Sequence, residues 1–198
     1  MPDRPNRWLQ NRNVSGDAYD ATYERRAAAG ESVHGEADFV EQFAPTSVID
    51  AGCGTGRVGR ELANRGLDVV GVDLDPAMLA TARRKAPGVD WRLADLATVD
   101  LDRLFDVTIM AGNVMIFLAP GSEPAVVANM ARHLNPGGLL IAGFQIKPAR
   151  LAIERYDEIA GLAGLVLAER WSTWDRDAWD EHHDYVVSVH RKDPGSPE

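Results

Sequence analysis

The sequence predicts a three-layer α/β fold: a seven-stranded, mostly parallel sheet with helices on both faces and the last strand antiparallel. Three observations predict it. Short apolar runs rich in β-branched residues alternate with helix-length stretches between residues 47 and 191. The connections are short, so successive strands join one sheet through helical crossovers. The last two apolar runs have no helical stretch between them, so they pair antiparallel.

Ser47-Val48-Ile49-Asp50 is the first strand, and a helix follows from about Gly56 to Arg65, with Val58 and Leu62 on one face. Gly66 stands where its C-terminal cap belongs. Asp68 to Val72 is the second strand. Asp75-Pro76 reads as N-cap and first residue of a helix to about Lys85. Val89 to Leu93 and Phe105 to Met110 are strands three and four. Ser122 caps a helix carrying Val126, Val127, Met130 and Leu134. Asn135-Pro136-Gly137-Gly138 breaks it and leads into strand five, Leu139 to Phe144. A helix with Leu151, Ile153, Tyr156 and Ile159 comes next, then strands from Leu165 to about Trp174 and from Tyr185 to His190. Ahead of the first strand, residues 19–46 form one or two helices with Phe39, Val40 and Phe43 as the apolar face. The expected organisation is a helical lid segment over residues 1–46, one domain over 47–191 and a disordered Pro-rich tail over 192–198. Residues 1–18, rich in Asn, Arg and Asp, also read as disordered.

The chain has 198 residues, enough for one α/β domain and too few for two. Its formal net charge of -9 argues against a nucleic-acid footprint, which needs a clustered basic face, and against docking on anionic lipid. Cys53 is the one cysteine, so no intrachain disulfide forms. The charged start lacks the apolar run of a signal peptide, and no apolar run approaches the roughly 20 residues of a membrane span. A cytoplasmic location is expected.

The first strand runs straight into Gly52-Cys53-Gly54-Thr55-Gly56. Glycines at spacing two let the backbone turn sharply and approach a ligand closely. The helix that follows presents unpaired N–H groups and the positive end of its dipole. The run Gly54-Thr55-Gly56-Arg57-Val58-Gly59 also satisfies G-x-G-x-x-G, and Asp73 follows Gly54 by 19 positions, so an NAD-dependent oxidoreductase is one reading. Against it, Gly52 rather than Gly54 is the first glycine after the strand. Asp50 would also set an acid beside a pyrophosphate, whereas a cationic ligand welcomes that acid.

Val48-Ile49-Asp50-Ala51-Gly52-Cys53-Gly54-Thr55-Gly56 resembles the first motif of class I S-adenosylmethionine-dependent methyltransferases. The resemblance continues in order through Val70 to Leu79, Leu93-Ala94-Asp95-Leu96, Phe105 to Ile109, and Leu134 to Leu140. It covers roughly residues 35–191 and implies a Rossmann-like fold, S-adenosyl-L-methionine as cofactor and methyl transfer to a small-molecule acceptor. A non-catalytic S-adenosylmethionine-binding protein is the alternative. The resemblance implies that Gly52, Gly54 and Gly56 approach the methionine part, with Cys53 the variable position between glycines and Asp50 near the amino end. Asp73 accepts from both ribose hydroxyls. Leu74 and Met78 sandwich adenine, with Ala94, Asp95 and Leu96 alongside and Asp95 accepting from the adenine amino group. Ala111 and Gly112 contact the methionine moiety, and Tyr19 and Tyr23 belong to an N-terminal lid.

Methyl transfer rests chiefly on alignment and water exclusion, so no dedicated acid or base is required unless the acceptor must lose a proton. Tyr23, His34 and Asn113 are the candidates for a catalytic role, against packing, a solvated turn and loop-backbone bonding respectively. Met115 and Phe117 suit an apolar wall, or core. Trp171, Trp174, Trp179, His182 and His183 cluster near the end of the chain, where packing is the default. No carboxylate triad at ligand spacing supports the two histidines as a metal site. The helix N-terminus could lower the Cys53 pKa.

Overall fold

The computed structural model describes residues 6–11, 18, 20, 21, 23, 25, 28–30, 33–148 and 150–195. Seven strands form one sheet in the order β3-β2-β1-β4-β5-β7-β6. They are β1 (Ser47–Ala51), β2 (Asp68–Asp73), β3 (Asp90–Leu93), β4 (Phe105–Met110), β5 (Leu134–Gln145), β6 (Leu165–Trp171) and β7 (Tyr185–Lys192). β1 to β5 pair in parallel, and β7 runs antiparallel to both β5 and β6. The antiparallel last strand is as the sequence implies.

The described helices are α1 (Arg7–Asn11), α2 (Gly35–Glu41), α3 (Arg57–Asn64), α4 (Pro76–Lys85), α5 (Val114–Phe117), α6 (Glu123–Arg132) and α7 (Ile153–Leu162). Strand alternation sends neighbouring residues to opposite faces. Ile49, Val70 and Val72 join Val126, Met130, Tyr156 and Ile159 on one side. Val48, Val69, Val107 and Ile109 pack with Phe39, Val40, Val58 and Leu62 on the other. α4 follows its sequence signals closely. The Asp75 side chain accepts from the Ala77 N–H at 2.9 Å, Pro76 takes the first position, and Arg83, Arg84 and Lys85 end the helix on the negative end of its dipole.

Four expectations change. β5 begins at Leu134, and Asn135 to Gly138 form an irregularity inside it rather than a break before it. Leu134 therefore pairs with Phe105 instead of closing the preceding helix. Gly138 fits there because a Cβ would lie 2.9 Å from the Asn135 carbonyl and 3.0 Å from that of Asp106. Ser122 precedes α6 but its hydroxyl donates to the Ala119 carbonyl instead of capping. β6 stops at Trp171, short of Trp174. At the two ends, residues read as disordered are structured: Arg7–Asn11 is helical, and Lys192 closes β7 with its ammonium on the Leu134 carbonyl. No helix among the described residues is long and apolar enough to cross a membrane.

Candidate functional site

In the strand order β3-β2-β1-β4-β5, the chain changes direction between β1 and β4, and α/β folds bind ligands beyond the carboxyl ends of the strands at such a point. A cavity of about 350 Å³ opens there. Its floor is the loop after β1. The Gly52 and Cys53 N–H groups both donate to the Val72 carbonyl, at 2.8 and 3.1 Å, which folds the loop back against β2.

The loop glycines have different reasons to be glycine. Gly54 has φ +54° and no atom within 4 Å of a would-be Cβ, so its backbone faces open space in the cavity. Gly112 is the same on the opposite wall, with φ +69°. A Cβ on Gly52 would meet Val114 at 2.5 Å, and one on Gly56 would meet the Trp91 ring at 2.5 Å. Gly56, expected at the ligand, instead receives Trp91 and does not line the cavity; Ala94 does not line it either.

Asp73 ends β2 and is clamped. Its Oδ2 accepts from the Gly54 N–H and its Oδ1 from the Asp75 N–H, both at 2.7 Å. Burial raises its pKa, against the Asp75 and Gly54 N–H donors. Asp50 is 2% exposed, and its Oδ2 accepts from the Gly59 N–H at 2.8 Å, serving the third residue of α3 as a cap supplied from a strand. Burial pushes its pKa up to about 7, against the Gly59 donor and the Arg57 charge. Asp95 is exposed on the rim, and its Oδ1 holds the Ala97 N–H in a turn rather than starting a helix. Leu74, Met78, Leu96, Ala111 and Cys53 complete the expected lining. Burial drives the Cys53 thiol pKa up, with Asp50 and Asp73 adding to it, so the lowering expected from the helix end does not occur.

Tyr23 lines the cavity with its ring 4.3 Å from the Arg57 guanidinium carbon. Tyr19 lies outside the described residues. His34 stays away from the cavity, with Nδ1 3.7 Å from a Glu61 carboxylate oxygen. Asn113 lines it at φ +69°, but its Oδ1 accepts from the Gln145 N–H at 2.7 Å, so the amide secures the loop after β4 to β5. Phe117 is wall and Met115 is core. The aromatic cluster near the chain end is packing. Trp174 donates to the Tyr185 hydroxyl at 3.1 Å and meets Phe39 edge-on at 5.4 Å, Trp171 donates to Glu169, and Trp179 lies under Arg170. His183 bonds Asp180 at 3.0 Å, and His182 is exposed. Among the described residues no group of three ligating side chains could hold a metal.

Several lining residues carry no local sign of it. Trp8 from α1 donates to the Asp75 carboxylate at 3.0 Å and meets Phe117 edge-on at 5.5 Å, which brings the N-terminal segment across the cavity. Arg57 lines it too, paired through both terminal nitrogens with Glu36 of α2. Its place directly after the glycines is a signal that spacing alone could have raised.

Several known proteins similar to this chain are methyltransferases. A family model described as a methyltransferase domain matches residues 48–138. The chain is 33% identical to a TehB-like SAM-dependent methyltransferase of Corynebacterium glutamicum, with a TM-score of 0.82, over 89% of this chain and 97% of that one. It is 35% identical over 99 residues to a trans-aconitate 2-methyltransferase of Methylobacterium nodulans, and 33% identical over 132 residues to a dTDP-4-amino-2,3,4,6-tetradeoxy-D-glucose N,N-dimethyltransferase of Saccharopolyspora spinosa. Those matches take 49% and 63% of this chain and span 37% and 52% of the two relatives' lengths.

Proposed function

This chain belongs to the S-adenosylmethionine-dependent methyltransferases, and from that premise we propose that it transfers a methyl group to a small-molecule acceptor by in-line displacement. S-adenosyl-L-methionine is the family's cofactor, and when bound it supplies an electrophilic methyl group on a sulfonium. Asp73 carries the reading. Backbone N–H groups fix both of its oxygens, Gly54 on Oδ2 and Asp75 on Oδ1, so the carboxylate is a rigid acceptor facing the cavity, suited to a vicinal diol.

The remaining lining fits the same ligand. Gly54 and Gly112 leave open space where a Cβ would stand, so a ligand can lie against bare backbone. Leu74, Met78 and Leu96 offer apolar faces to adenine, and Asp95 at the rim accepts from its amino group. Asp50, held by one N–H, answers an ammonium, beside Gly52, Cys53 and Ala111. Tyr23 and Trp8 exclude water from above, as parts of a lid over residues 1–46, while residues 47–191 form the transfer domain. The acceptor lies against Val114, Phe117 and Leu118, an apolar wall. No catalytic base is assigned: alignment and desolvation supply the rate. The acidic surface fits a cytoplasmic protein that engages neither nucleic acid nor membrane.

Parallel calorimetric titrations with S-adenosylmethionine, S-adenosylhomocysteine and NAD test the reading. The two sulfur ligands bind in the micromolar range and NAD does not; binding of NAD alone would hand the site to a dinucleotide. Asp73→Ala weakens binding by roughly 1.5–3 kcal/mol, the worth of hydrogen bonds to a charged acceptor. Unchanged affinity in that variant sinks the ribose assignment. Methyl release with an acceptor panel then separates an enzyme from a binding protein.

A further inference from the structure

Asp20 is a buried carboxylate with no part in the function above. It comes from the N-terminal segment and is 2% exposed. Its Oδ1 accepts from the Thr55 hydroxyl at 2.9 Å, in the middle of the glycine loop. Its Oδ2 pairs with the Lys85 ammonium at the end of α4, and the Arg60 guanidinium of α3 lies 3.9 Å away. Thr55 is itself 2% exposed and lines the cavity. One carboxylate thus ties the segment to the loop and to the helices on either side of it.

Tyr23 stands three residues further on, about one helical turn away, and both residues are helical. Its ring lies over Arg57 and forms cavity wall. Charge-assisted hydrogen bonds to a buried carboxylate are strong, and removing one partner leaves the others uncompensated. A segment fastened this way resists the local opening through which a ligand leaves.

We propose that Asp20 is a positioning residue that bolts the N-terminal segment to Thr55 and Lys85, holds Tyr23 over the cavity and so slows the escape of the bound nucleoside. The proposal rests on the cavity being the S-adenosylmethionine site. The experiment is stopped-flow displacement of S-adenosylhomocysteine from the full chain. Asp20→Asn keeps an acceptor for Thr55 but loses the charge opposite Lys85, and it speeds dissociation about ten-fold or more. Thr55→Val removes only the hydroxyl bond and speeds it by a smaller factor, which keeps the test alive should Asp20→Asn fail to fold. In a Tyr23→Ala background the Asp20→Asn acceleration disappears, because Asp20 acts through Tyr23. A fall in melting temperature with unchanged dissociation rates would make Asp20 merely structural and overturn the proposal. So would an acceleration that is as large without Tyr23 as with it. Wild-type protein that binds no S-adenosylhomocysteine overturns the reading of the cavity instead, and the bolt with it.

Discussion

Asp50 and Asp106 are carboxylates on neighbouring strands at opposite ends of the same sheet, and the protein treats them in opposite ways. At the amino end, Asp106 Oδ2 accepts from the Thr46 N–H at 2.8 Å, the Thr46 hydroxyl at 2.7 Å and the Ser47 N–H at 3.1 Å, while its Oδ1 accepts from the Asn135 amide at 2.9 Å. Burial raises its pKa, but the Thr46, Asn135 and Ser47 donors outweigh it and hold the group at about 2. At the carboxyl end, Asp50 is more deeply buried and has the Gly59 N–H, and its pKa rises to about 7. A carboxylate supplied with donors by its own chain does structural service. One desolvated beside a cavity is, on the proposed function, left for a cationic ligand to complete.

The two sites should therefore respond in opposite senses to the same Asp→Asn change, and the larger effect belongs to Asp50. Between pH 3.8 and about 7 the folded state holds an Asp50 proton that the unfolded chain has released. Stability of the ligand-free protein thus falls as pH rises across that window and levels off above it. Asp50→Asn keeps an acceptor for Gly59 and removes the buried charge. It stabilises the ligand-free protein at pH 8 by up to roughly 4 kcal/mol, from about 3 pKa units at 1.36 kcal/mol each. It also weakens S-adenosylmethionine binding by about ten-fold or more. Denaturant melts and titration of one preparation test both halves. A variant that loses stability, or keeps wild-type affinity, breaks the contrast.

Asp106→Asn tests the other end. With a folded pKa of about 2, its contribution is complete above about pH 4 and is lost as pH falls toward 2. The site is partly solvated, so the loss at pH 7 is about 1–2 kcal/mol. Cofactor affinity stays at the wild-type value. A change in affinity larger than the error of titration would mean that the amino end communicates with the cavity, and the division between the ends would fail.

How much of this was legible beforehand depends on the range of the forces. Local signals read well: β4 was placed residue for residue, and Asp75-Pro76 located the start of α4, because propensity and capping act within a few residues. The glycine loop and Asp73 stood out by spacing. What was missed is settled by distant partners. Asn135-Pro136-Gly137-Gly138 is a turn signal, yet pairing of Leu134 with Phe105 carries the strand through it. α5 has four residues, too few to show a period. Gly56 and a ligand-facing glycine look alike until Trp91 is seen to fill the space above it. Trp8 sits in a polar stretch that composition assigns to disorder and Asp20 in an expected helix with no sign of its role, and their bonding partners, Asp75, Thr55 and Lys85, lie 35 to 67 positions away.

The pH dependence of binding is the sharpest discriminator between the two carboxylates. A cationic cofactor favours ionised Asp50, so binding below pH 7 must expel its proton. Affinity for S-adenosylmethionine then falls by up to ten-fold per pH unit below about 7 and is flat above it. Calorimetry at pH 6 in two buffers of different ionisation heat reads the same event directly, as release of up to one proton per ligand bound. Asp73, whose pKa burial also raises, could add to the slope. The Asp50→Asn variant separates the two, since only the Asp50 share vanishes with it. Asp106→Asn leaves the slope as it was, because a group with a pKa of about 2 is ionised throughout the range. Affinity that is level from pH 5.5 to 8 in the wild type would mean that Asp50 is already ionised without ligand, and that its single N–H and the Arg57 charge outweigh its burial.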